Sequence, residues 1–129
     1  MSYFEKEIKK LGFGLMRLPQ KDGVIDVEQV KVMVDKYMKA GFTYFDTAWA
    51  YPGSEDAIRQ ALVKRYPRES FQLATKNAAW VNCKTREDAI GQFEMSLNRL
   101  AQDILTIIFC IILESREHIS LMILTCGSL

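Results

Sequence analysis

The chain is poor in the residues from which most cofactor and cross-link sites are built. It has one histidine, three cysteines and three prolines in 129 residues. Cys83, Cys110 and Cys126 form neither a CxxC pair nor any metal-ligand spacing, so a zinc ribbon and a disulfide framework are excluded. An odd number of thiols suits a reducing compartment. No sign of charge dominates: 17 basic and 16 acidic residues leave a net charge of +1. The basic residues are scattered along helical segments, which offers neither nucleic acid nor an acidic partner a continuous stripe. Ser2 to Glu7 is too polar for a secretory leader. The longest apolar run, Ile104 to Leu113, is too short to span a bilayer and fits a buried strand or an aggregation-prone segment. These absences lead us to expect a cytoplasmic protein with no nucleic-acid or membrane partner. Neither GxGxxG nor GxxxxGK[ST] occurs, because Gly12-Phe13-Gly14 lacks a third glycine and does not open a helix.

What is present is a repeating unit. Lys10 to Leu18 is apolar, broken by glycine and closed by Pro19, and reads as a strand. After a polar turn at Gln20 to Gly23, Asp26 N-caps an expected helix to Ala40 with Val27, Val30, Val34, Tyr37 and Met38 on its apolar stripe. Gly41 stops it, and Phe42 to Phe45 is strand-like. Ser54 is the expected cap of a second helix to about Arg65, ended by Pro67. Phe71 to Thr75 is the next strand, and Thr85 with Asp88 resembles a capping box opening a third helix to about Leu100. That helix should bury Ala89, Phe93, Leu97 and Leu100. Strands alternating with helices imply a parallel sheet covered by helices. A doubly wound sheet would carry a phosphate loop after its first strand, whereas a (β/α)₈ barrel places its chemistry at the C-terminal ends of its strands. Asp46 and Lys76 stand at such ends, so we expect about the first three βα units of an incomplete (β/α)₈ barrel, an α/β fold.

The chemistry lies between those ends. An acid (Asp46), a phenol (Tyr51) and an amine (Lys76) near neighbouring strand ends are the parts of a proton donor. An ammonium favours the phenolate that a donating phenol leaves behind, and a carboxylate keeps the ammonium charged and in place. Singly, each residue reads as a turn or strand-end residue. Trp49 and Trp80, after strand ends, suit either a pocket wall or loop packing. Cys83 reads as an ordinary thiol before a helix.

Three segments, in order and at suitable spacing, resemble the aldo/keto reductases. Gly12-Phe13-Gly14-Leu15-Met16-Arg17-Leu18-Pro19 looks like the family's first strand. Phe45-Asp46-Thr47-Ala48 with Tyr51 and Gly53-Ser54-Glu55 looks like its FDTA-x-x-Y-G-x-E motif, with Pro52 where glycine is common. Ala74-Thr75-Lys76 looks like the strand end that carries its lysine, and Ser96 to Leu100 like the helix end before its fourth strand. The resemblance covers roughly residues 8 to 102. It implies an NADPH-dependent oxidoreductase that reduces a small-molecule aldehyde or ketone. Tyr51 would be the general acid, Lys76 its activator, Asp46 the partner of Lys76 beside the nicotinamide ribose, and Met16 part of the cofactor cleft. The family's fourth catalytic residue is a histidine at the end of the fourth strand, and the corresponding Gln102 to Ile111 contains none. His118 lies well beyond it.

Residues 104–129 differ from the rest. They hold seven of the eleven isoleucines and two of the three cysteines, yet no Ala, Val, Lys or Asp. We therefore expect a division into a barrel portion, 1–103, and an aberrant tail, 104–129. Codons for the tail can be chosen so that reading one base earlier gives Tyr-Phe-Asp-Tyr-Tyr-Leu-Leu-His, with the histidine at the Cys110/Ile111 boundary. This points to a frameshift near codons 101 to 104. The alternatives to an active reductase are then an inactive truncated remnant, or an interaction fragment that associates through open sheet edges. Sequencing the coding DNA tests the shift: a second frame should continue past codon 104 as further barrel strands, and its absence would sink the idea.

Overall fold

The computed structural model describes residues 8–78 and 83–100 in full, and the backbone of Ile107–Glu114 and His118–Leu124. A first short strand, β1 (Gly12–Gly14), leads into a two-stranded ribbon, β2 (Gln20–Lys21) and β3 (Val24–Ile25). The first helix, α1, spans Val27–Lys39 and is followed by β4 (Tyr44–Asp46) and α2 (Ser54–Ile58). The chain completes the sheet with β5 (Gln72–Asn77), α3 (Arg86–Leu100), β6 (Ile107–Glu114) and β7 (His118–Leu124).

The sheet order is β1-β4-β5-β6-β7. The first four of these strands are parallel neighbours in chain order. A doubly wound sheet reverses its order at a switch point, whereas a sheet that adds each new strand on the same side curls toward a barrel. The fold is α/β, an incomplete (β/α)₈ barrel. At β7 the pattern changes, because β6 and β7 form an antiparallel hairpin in place of another βα unit.

Register explains where the core lies. Phe13, Phe45 and Leu73 are paired across β1, β4 and β5 and point to one side, toward the helices. Phe45 and Leu73 are fully buried there with Val30 and Val34 of α1 and with Ile58, Ala61 and Leu62. Burying each large apolar side chain contributes about 1.5–3 kcal/mol, so this layer anchors the sheet. Tyr37 closes the edge of the cluster against Phe13 and Phe45 while its hydroxyl donates to the carbonyls of Leu11 and Tyr44. Burial pushes that hydroxyl above its ordinary value.

Several expected elements shift by a residue or more. β1 is confined to three residues, and the polar turn is the tip of a ribbon. Asp22 and Gly23 there both have positive φ (53° and 79°), the twist a two-residue hairpin turn needs. Asp26 caps α1 as expected, accepting from the Gln29 amide at 3.2 Å. Ser54, by contrast, does not cap α2. Gly53 occupies the cap at φ 72°, a conformation suited to glycine, and a Cβ there would also stand 3.2 Å from Ile25. α2 widens at Arg59–Val63 into π-type hydrogen bonding, with Lys64 N donating to Arg59 O. α3 opens on the expected box, since Thr85 Oγ1 and the Asp88 carboxylate accept each other's amides. Its buried stripe is Gln92, Ser96 and Leu100, with Phe93 and Leu97 only partly buried beside it. Gln92 takes an inward place because its amide oxygen accepts from Ala78 N. Trp80 lies outside the described residues.

One ionic contact joins α1 to the segment after α2. Asp35 accepts from Arg65 at 2.7 Å and from the Tyr66 hydroxyl at 2.6 Å. The Arg65 bond, then the Tyr66 bond, hold the Asp35 carboxyl below its ordinary 3.8. A depressed carboxyl supplies stability that is whole above its unfolded value and is lost as pH falls through its folded one. Asp35→Asn should therefore lower the melting temperature at neutral pH by the equivalent of about 1 kcal/mol or less, since the pair is partly solvated. The gap between variant and wild type should close below about pH 4. Thermal melts across pH check this, and an undiminished gap at low pH would contradict it.

Candidate functional site

Asp46 is the last residue of β4 and Lys76 the fifth of the six in β5, both on the face turned away from the helix core. Lys76 stands two residues beyond Ala74, the register partner of Asp46, so the long amine reaches back diagonally across the strand pair. Its ammonium donates to Asp46 Oδ2 at 2.6 Å and to the Thr47 carbonyl at 2.9 Å. Lys76 is 21% exposed and Asp46 30%, so the pair is partly withdrawn from water, where an unpartnered charge costs most. The field of Asp46 is felt along the same strand. Burial, and then the Asp46 charge, raise the Tyr44 hydroxyl above its ordinary value.

The loop after β4 carries Tyr51. Trp49 N donates to the carbonyl of Lys76 itself at 3.0 Å, and Tyr51 N turns back to Ala48 O at 3.1 Å. The loop thus hangs from the residue whose ammonium it faces. Lys76 Nζ lies 5.2 Å from the centroid of the Tyr51 ring, an ammonium over an aromatic face. The structure accordingly brings Asp46, Tyr51 and Lys76 together. Met16, the fourth sequence-chosen residue, follows the end of β1 and is 63% exposed.

Two sets of contacts brace these strand ends, a role that sequence reasoning does not assign; it reads Ser54 only as a helix cap. Glu55 is 2% exposed and accepts from Thr75 Oγ1 at 2.7 Å, with Arg99 of α3 at 3.4 Å from its other oxygen. Thr75 precedes Lys76 and points the opposite way, so this link fastens β5 from behind. Thr47 and Ser54, both buried, join hydroxyls at 2.7 Å, and Ser54 donates to Leu15 O at 2.8 Å. The signal for both sets was membership of the family-like segments, which contain Leu15, Thr47, Ser54, Glu55, Thr75 and Arg99. Beside Tyr51 a cleft of about 540 Å³ is bordered by Trp49, Pro52, Glu55 and Arg99. Trp49 therefore walls a cleft, with the Arg99 guanidinium over its ring at 5.7 Å. Among the described residues no group of three or more His, Cys, Asp and Glu could hold a metal ion. Cys83 is half-buried and free.

No curated protein matches the chain. Solved structures do. A thermostable aldo-keto reductase crystallised with the inhibitor epalrestat is 25% identical, with a TM-score of 0.63 over 83% of this chain and 39% of its own. An aldo-keto reductase from Klebsiella pneumoniae in complex with NADPH is also 25% identical, with a TM-score of 0.61 over 78% of this chain and 34% of its own. An aldo/keto reductase from Brucella melitensis shares the fold at 24% identity and a TM-score of 0.56, over 75% and 34%. The chain spans well under half the length of each. A profile of the aldo/keto reductase family matches residues 10–121, past the point where the resemblance of single motifs stops. With that pattern laid over a sector of the corresponding barrel, the chain belongs to the aldo/keto reductase family.

Proposed function

We propose that the Asp46–Tyr51–Lys76 group is the proton-donating part of an NADPH-dependent oxidoreductase site that reduces small-molecule aldehydes and ketones. The observation that supports it is the placement of the Lys76 ammonium, paired with Asp46 at 2.6 Å and facing the Tyr51 ring at 5.2 Å. Carbonyl reduction adds a hydride to carbon and a proton to oxygen. When bound, NADPH supplies the hydride. The rest falls to the chain. Tyr51 gives its hydroxyl proton to the carbonyl oxygen, and the O–H bond of the product forms as that of tyrosine breaks. The ammonium stabilises the phenolate left behind, and Asp46 fixes the ammonium.

The residues present fit the nicotinamide end of such a cofactor. Among the described residues Asp46 engages only Oδ2, which leaves Oδ1 as an acceptor for a ribose hydroxyl. Met16 offers an exposed apolar surface at the end of β1. The NADPH complex of the Klebsiella pneumoniae relative agrees with this reading.

A second reading, a polypeptide of this family that does not turn over, is favoured by the pairing at β6. Cys110 stands opposite Asn77, one residue past Lys76, in the strand whose end carries a histidine in the family resemblance. No histidine lies between Gln102 and Ile111. The frameshifted tail belongs to this reading, as does self-association through the exposed edge strand β1.

Titration with NADPH, followed by an assay of its oxidation with a panel of aldehydes and ketones, tests the first reading. Turnover should fall roughly 10²- to 10⁴-fold in Tyr51→Phe with cofactor binding kept. Turnover unaffected by that change removes Tyr51 from the reaction. Elution as an oligomer with neither binding nor turnover establishes the second reading.

A further inference from the structure

Proton positions in the buried hydroxyl pair are fixed by what surrounds it. Ser54 Oγ lies 2.8 Å from the Leu15 carbonyl, which only accepts, so the serine proton is committed there. The contact between Ser54 and Thr47, at 2.7 Å, must then be donated by Thr47. The chain of bonds runs one way, from the Thr47 hydroxyl to the Ser54 hydroxyl to Leu15 O. Both side chains are dry, at 0% and 1% exposed, so water cannot replace either partner. Thr47 is also held by its backbone. Its amide donates to Ala74 O at 2.9 Å, and its carbonyl receives Lys76 Nζ at 2.9 Å. An ammonium has three donors. One goes to Asp46, one to Thr47, and the third is left for the space at the strand ends beside Tyr51.

We infer that Ser54 is a positioning residue for Lys76: by pinning the Thr47 hydroxyl to the end of β1, it fixes the carbonyl that is the second anchor of the ammonium. The anchor on the other flank is a charge, but Asp46 alone leaves the long side chain free to swing about a single contact. Two acceptors on consecutive residues define a direction. The catalytic meaning of that direction rests on the reading proposed above; the positioning itself rests on the geometry.

The test uses the full chain and needs no cofactor. Pulse labelling with an amine-reactive acetylating reagent, read by peptide mass spectrometry, gives the labelling rate of Lys76 relative to the exposed Lys39 and Lys64. In the wild type Lys76 should label more slowly than both. Ser54→Ala should raise the Lys76 ratio roughly two- to tenfold, the equilibrium effect of one lost hydrogen bond. Thr47→Val, which keeps volume and carbonyl but removes the donor, should raise it similarly, and Thr47→Ser should restore the wild-type ratio. A merely structural role would lower the melting temperature and leave the ratio unmoved, or raise all lysines together; either result overturns the inference. So does loss of folding in both Ser54→Ala and Thr47→Val, because the hydroxyls would then serve the fold. A shifted ratio in a protein without reductase activity removes the proposed function alone. An unshifted ratio in an active reductase removes the positioning role alone.

Discussion

A partly buried ammonium needs oxygen partners whose places are set before it arrives, and this requirement shapes the end of the parallel sheet. Lys76 is held by a carboxylate and a carbonyl on consecutive residues of the neighbouring strand end. Those oxygens are where they are because β4 and β5 pair in register, Asp46 opposite Ala74. The register in turn is set by Phe13, Phe45 and Leu73, which share one face against the helices. A slip of one residue would turn Phe45 away from the core and Asp46 into it. Hydrophobic burial on one side of the strand therefore decides where charge stands on the other.

The helix side contributes more than apolar packing. A buried glutamate on α2, a threonine on β5 and an arginine on α3 meet behind the strand end, while a serine at the start of α2 ties β1 to β4. Each link joins elements distant in sequence through short side chains of fixed reach. The two sides act on successive residues. Thr75 is fastened toward the helices and Lys76 reaches the opposite way, so alternation along one strand converts a rigid back into a directed front.

Much of this was legible in the residues. Apolar periodicity located the helices, and Asp26, Thr85 and Asp88 marked two of their starts because capping is a local interaction. The pairing of Asp46 with Lys76 could be expected from the type and spacing of the residues at the strand ends. What escaped was set at longer range. Ser54 looked like a cap, but its hydroxyl is drawn to a carbonyl contributed by Leu15, far away in sequence. The buried stripe of α3 contains Gln92 and Ser96 in place of the more apolar Phe93, because Gln92 satisfies the amide of Ala78 beyond the end of β5. The ribbon at Gln20–Ile25 read as a plain turn, since two residues of strand on either side give too short a pattern for alternation to show.

The register of β6 beside β5 carries a consequence of its own. Ladder bonds are made by amides and carbonyls that every non-proline residue possesses, so a neighbouring strand selects for extended shape and is indifferent to the chemistry of the side chains. Ile107 to Cys110 satisfy that demand fully while bringing no imidazole to the spot opposite Asn77. Architecture and reactivity are thereby uncoupled along this strand: a run rich in branched aliphatics supplies the backbone pairing, and only the side chain opposite Asn77 decides what chemistry is possible there.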